Sequence, residues 1–211
     1  MTAWLPQPST SVIASAAAAC TVWALIAVLD RAAGAVSVRL VQESFHMRSL
    51  SLYTTLHFDV KEPLLLMGGK TRSEPLTEVR VRPLELEDVE ECGTLCRRVH
   101  KFERSGEVRD AVTALKPFVA VRNGRVVAYS TEPSNALVGH AVAAGNDEMK
   151  ALLMGVSRLQ SEPLSIFVPI RNSELFRWCS SEGLKSVSPM NLMSIGEYQE
   201  PRGSWLPSVI Y

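Results

Sequence analysis

Residues 40–67 and 166–193 overlie one another at a constant offset of 126 positions without a gap. Leu40 meets Ile166, Val41 meets Phe167, Leu50 meets Phe176, Leu52 meets Trp178 and Phe58 meets Leu184. Pro63 falls on Pro189, Leu66 on Leu192 and Met67 on Met193. Few residues are identical, so what recurs is the placing of apolar side chains in a strand, a helix and a second strand. A chain that carries this unit twice is constrained to an α/β architecture with two related parts.

The stretches between and around the two copies extend the pattern. Residues 14–33 read as a helix stopped by Gly34, and "VSVRLVQ" as a β-branched strand. "SFHMRSLSLYTTL" is a second helix, and "HFDVKEPLLLM" a strand interrupted by Pro63. "GGKTRSEPLT" has the glycine, proline and polar content of a linker. "EVRVRPLELEDVEECGTLCRRVHKF" predicts a short strand and a helix with Leu86, Val89, Cys92, Cys96, Val99 and Phe102 on its apolar side. A short helix over 106–115 follows. In "FVAVRNGRVVAYS", Asn123 and Gly124 are the residues a type I′ hairpin turn prefers. "ALVGHAVAA" reads as a strand, Asn146 as the N-cap of an amphipathic helix, and "LSIFVPI" as a strand. Asn172 caps "SELFRWCSSE", Gly183 stops it, and "LKSVSPMNLMSI" is a strand pair or a strand broken at Pro189. The closing "GSWLPSVIY" is too apolar to stay in water and should pack back as a strand or against the first copy.

Charge excludes some functions. Lys+Arg and Asp+Glu each number 22, so no long-range field draws a nucleic acid or an anionic bilayer. Cys92 and Cys96 share a helix face, Cys20 and Cys179 are isolated, and no Cys/His cluster has zinc spacing. The thiols fit core packing in a reducing cytoplasm, and no metal is expected. Before Asp30 there is no charged side chain. A buried helix is the first reading of that start, with a membrane anchor through residues 11–29 as the alternative.

From Val79 onward the element order, the opening "VRPLELEDVEE", the hairpin "VAVRNGRVVAYS" and the ending "NSELFRWCSSEGL" resemble the GCN5-related N-acetyltransferase (GNAT) family. The ending is similar to that family's N-x-x-A-x-x-L-Y-x-x-x-G-F, and "HMRSLSLYTTLHF" resembles the same ending. The resemblance implies an α/β (α+β) fold, a mixed and partly splayed sheet with helices on both faces. It divides the chain into a truncated N-terminal repeat (1–70), a linker (71–78) and a complete C-terminal unit (79–211). It also implies acetyl-CoA as co-substrate, held where two parallel strands splay, and transfer of its acetyl group to an amine of a small molecule or peptide.

The family wraps the pyrophosphate with a loop of pattern R/Q-x-x-G-x-G/A at a helix N-terminus, where backbone N–H groups and the helix dipole stabilise the anion. Here that place falls in "ASAAAAC" and in "HAVAAGNDEMK", so both copies depart from the pattern, and Asp147 and Glu148 bring negative charge to the second. The resemblance places Ala144, Gly145, Asn146 and Asn172 at the cofactor. A tyrosine that protonates the departing thiolate corresponds to Tyr53 in the first copy and to Cys179 in the second; His46 and His57 replace the first copy's asparagine and glycine. His140 is a candidate base, since imidazole titrates near neutrality. A non-catalytic GNAT-like binding module, or a fragment of a tandem enzyme, is the competing reading. A partial sheet in the first copy leaves an open strand edge, which makes homodimerisation through that repeat an expectation.

Overall fold

The computed structural model describes residues 37–209. The helix expected over 14–33, the alternative anchor over 11–29, the "ASAAAAC" loop, Cys20 and the last two residues lie outside them. The described chain opens with β1 (Ser37–Glu43), α1 (Met47–Thr55) and β2 (Asp59–Gly69). After the connection come β3 (Arg80–Pro83), a 3-10 turn at Leu86–Asp88, α2 (Val89–His100) and α3 (Ser105–Ala114). Then follow β4 (Phe118–Arg122), β5 (Arg125–Ser130), β6 (Ala141–Ala143) and α4 (Asn146–Leu159). The chain closes with β7 (Leu164–Pro169), α5 (Ser173–Ser181), β8 (Lys185–Gly196) and β9 (Ser204–Leu206). Among the described residues no helix is long and apolar enough to cross a membrane.

The strands form two sheets, ordered β1-β8-β2-β7 and β3-β4-β5-β6-β9, and all neighbours are antiparallel. The offset of 126 reappears in the coordinates. Shifted by it, α1 lands on both ends of α5, and the start of β2 lands on the start of β8. Leu64 faces Met190, its own counterpart, and the flanking pairs Pro63–Asn191 and Leu65–Pro189 exchange roles. Likewise Val38–Ile195 is mirrored by Gly69–Leu164. The first sheet therefore has a local twofold pseudo-axis between Leu64 and Met190, and the strand β2 is inserted between β7 and β8.

Helices cover both faces. On one side α4 presents Met149, Leu152, Leu153 and Val156 to Ala120, Ala128 and Ala143. On the other, α2 packs Val89, Cys92, Leu95, Cys96 and Val99 against Val119, Tyr129, Val142 and Phe167. α1 covers the far end with Leu56, Phe58 and Met193 beneath it. The small alanines of β4–β6 let α4 approach closely. Gly155 marks the tightest point, because a Cβ there would lie 2.4 Å from Val81. Gly155→Ala should lower stability by about 1–3 kcal/mol, since overpacking outweighs the better helix propensity of alanine; an unchanged urea midpoint would contradict that packing.

Several expectations need correction. Pro63 does not end a strand: β2 continues through it, and a register shift between Val60 and Glu62 absorbs the irregularity as a bulge. β8 likewise runs through Pro189 as one strand. The strand expected in "ALVGHAVAA" shrinks to Ala141–Ala143, because residues 136–140 form a loop closed by Asn135. Leu86 belongs to the 3-10 turn and is 57% exposed, and Phe102 lies beyond the helix, which ends at a left-handed Lys101. The Asn123–Gly124 turn is as expected, with φ of 52° and 74°, and the C-terminal segment does return as a strand, β9.

Candidate functional site

β6 and β7 are joined by the crossover helix α4, and each stands at or next to the edge of its sheet. This gap is the place where the resemblance puts a cofactor. It is filled by β9, which pairs with β6 in the register Ala141–Leu206, Val142–Trp205 and Ala143–Ser204. Alternation sends the two large side chains to opposite sides: Leu206 joins the α4 side of the core with Ile166 and Val168, and Trp205 joins the α2 side with Val142 and Phe167.

At the mouth of the gap the N-terminal ends of α4 and α5 come together. Asn172 caps α5, accepting the Leu175 N–H at 3.3 Å. Asn146 is not a cap: Gly145 holds that position, without a side-chain bond. Instead the Asn146 and Asn172 amides bond each other twice, at 3.1 and 2.8 Å. The Ala144 N–H is used by Val127 O at 2.9 Å. Of the four residues expected at a cofactor, Gly145, Asn146 and Asn172 line one cavity of about 420 Å³. Glu62, Arg171, Glu200 and Trp205 also line it. The acids of the first α4 turn have partners elsewhere: Glu148 with Arg122 at 2.6 Å and Asp147 with Lys150 at 3.3 Å.

The three residues expected to act on protons are not brought together. Tyr53 packs edge-on against Phe58, with ring centroids 5.9 Å apart, in the apolar cluster under α1. Cys179 is fully buried in the α4-side core, where burial pushes its thiol up to about 12. His140 is sealed behind Tyr129, whose Oη is 3.2 Å from Nε2, and Thr131, whose Oγ1 is 3.3 Å from Nδ1. Burial, with the charges of Arg104 and His100, holds His140 well below the usual histidine range, so it stays a neutral structural imidazole. The repeat explains two other motif positions. His46 caps α1 through Nδ1 as Asn172 caps α5, and His57, at φ 65°, occupies the left-handed stop that Gly183 takes at φ 95°. Among the described residues no His/Cys/Asp/Glu group could hold a metal ion.

Sequence reasoning missed Glu62, Arg171 and Glu200. The signal was present for the first: a glutamate inside the apolar run "DVKEPLLLM". The residue is 4% exposed, and burial raises its pKa above the ordinary glutamate value despite Arg171 nearby.

No protein-family profile matches the chain, and no curated protein matches it by sequence. Solved structures do match in shape. An inferred acetyltransferase from Pyrococcus horikoshii superposes with a TM-score of 0.70 at 10% identity, over 97% of this chain and 66% of its own. GCN5-related N-acetyltransferases from Anabaena variabilis (TM-score 0.53, 9% identity, 86% of this chain and 51% of that one) and Sphaerobacter thermophilus (0.51, 14%, 85% and 67%) are also similar. This chain thus spans between about half and two thirds of those proteins' lengths. At such identities the likeness establishes the GNAT fold.

Proposed function

We propose that the chain acts as an acyl-CoA-dependent N-acetyltransferase built of two related units, transferring an acetyl group to an amine of a small molecule or peptide. Residues 1–70 form the first unit, 71–78 the connection and 79–211 the second. The observation that supports this reading is the GNAT fold with a pseudo-twofold register in its first sheet, which we read as two copies of the closing strand–helix–strand. With β9 in the gap between β6 and β7, this reading gives cofactor work to the first unit, with Tyr53 as the acid. The second unit then serves as its scaffold. The free thiols Cys92, Cys96 and Cys179 are consistent with a reducing cytoplasm. β1, hydrogen-bonded only to β8 among the described residues, supplies the edge on which a second copy would pair.

Acetyl-CoA at about 100 times its Kd should raise stability by about 2.7 kcal/mol. Tyr53→Phe should retain that shift and lower kcat by roughly 10²–10⁴-fold against an accepted amine. A melting midpoint unmoved by acetyl-CoA overturns the enzyme reading. The filled β6–β7 gap specifically favours what would replace it, a non-catalytic GNAT-fold module.

A further inference from the structure

A second cavity, of about 420 Å³, opens at the C-terminal end of α4, where the ends of α3 and β3 and the start of β4 converge. It is remote from the β6–β7 gap: α4 has 14 residues, so its two ends stand about 20 Å apart at about 1.5 Å per residue. Leu84 is buried in the lining, Val112 and Leu115 are half-buried, and Leu159 is 54% exposed beside them. A mainly apolar lining with a few placed polar groups is the usual make-up of a small-molecule site. One of the polar groups here lacks a partner. Gln160 lines the cavity and is 8% exposed. Its Nε2 donates to Glu162 O at 3.1 Å, which fixes the orientation of the amide, yet no described group hydrogen-bonds its buried Oε1. Buried amide oxygens are rarely left so, and an entering donor would restore the hydrogen bond that folding removed.

We propose that this cavity binds an uncharged, compact aromatic molecule bearing one N–H or O–H, its ring against Val112, Leu115 and Leu159 and its donor hydrogen-bonded to Gln160 Oε1. Pro83, Pro117 and Phe118 add flat ring faces to the lining, which suit an aromatic ring. The charged groups are already matched. Lys116 Nζ lies 2.7 Å from Glu162 Oε1, and Lys70 Nζ donates to the Gln160 backbone carbonyl at 2.9 Å. An anion would have to draw Lys116 from Glu162, and a cation would have to draw Glu162 from Lys116, so a neutral ligand is favoured over either. The site does not depend on acetyl transfer.

Indole is the probe, and benzofuran, which has the same fused-ring shape and no N–H, is its control. Titrated calorimetrically into the full chain without acetyl-CoA, indole should bind saturably with a Kd on the order of 0.1–1 mM, and benzofuran about tenfold more weakly. Gln160→Met, which keeps the length of the side chain and removes the acceptor, should weaken indole about tenfold and abolish the difference between the two ligands. Leu159→Ser, at an exposed position, should weaken both. Should Gln160→Met fail to fold, indole against benzofuran on the native chain and on Leu159→Ser carries the test. No saturable heat with indole, benzofuran binding as tightly as indole, indole affinity unchanged by Gln160→Met, or unchanged by Leu159→Ser, would each overturn the proposal. Because acetyl-CoA is absent throughout, such a failure leaves the acetyltransferase reading standing.

Discussion

Trp205→Ala should cost about 3–5 kcal/mol of stability, the range for removing a large aromatic side chain from a close-packed interior. The side chain is 6% exposed although it sits on a strand of three residues. It packs with Val142 and Phe167 on the α2 side of the core and meets the His100 ring edge-on at 5.9 Å. Truncation would leave an apolar void on the α2 side of the gap, since Leu206 fills its α4 side, so neighbouring groups cannot close over it without pulling β6 toward β7. At about 2–4 °C per kcal/mol for a chain of this size, the midpoint should fall by roughly 10 °C. Leu137→Ala, at an apolar position 58% exposed, is the control and should change stability by less than about 0.5 kcal/mol. A Trp205→Ala variant as stable as that control would mean that β9 does not fill the gap, and the assignment of cofactor work to the first unit would lose its support.

How much of this was readable beforehand depends on the range of the interaction. The repeat was legible because apolar spacing within a strand or helix is a local property, and the same 28 positions recur with the same spacing. The turn at Asn123 and Gly124 was legible because positive φ selects those residues. The cap at Asn172 and the stop at Gly183 were legible for the same kind of reason. Pairing partners were not. Nothing within "LLLM" says that β2 lies between β7 and β8, and nothing within "SWL" selects Ala141–Ala143 as its neighbour, since a strand's alternation specifies its faces but not its edges. The same limit hid the site. Glu62 and Arg171 are 109 positions apart, so an acid in an apolar run could be noticed without its partner being named. His140 failed differently: imidazole at the head of a strand reads as a base, and only the enclosing Tyr129 and Thr131 show that it is a core group.

That enclosure makes the chain acid-sensitive in a defined window. His100 and His140 are both buried, and the folded chain keeps both neutral. Burial, then the charges of Arg104 and Arg39, pulls His100 down to about 3; burial, then Arg104 and His100, pulls His140 well down. In the unfolded chain each titrates near 6.5, so below that pH the unfolded state binds more protons and stability falls as pH falls. Each neutral histidine contributes a slope approaching about 1.4 kcal/mol per pH unit, and two of them should remove about 3 kcal/mol between about pH 6.5 and 5. The lowered carboxylates act elsewhere. Asp88, held down first by its Arg82 hydrogen bonds, contributes stability that is lost only as pH drops through its folded value, below 3.8. Above pH 5 the two imidazoles outweigh the carboxylates; Glu62, raised by burial, acts in the opposite sense and offsets part of the loss. Urea midpoints measured between about pH 6.5 and 5 should fall steeply for the native chain and about half as steeply for His140→Gln. Stability that stays flat from pH 6.5 to 5 would show that one or both rings reach solvent.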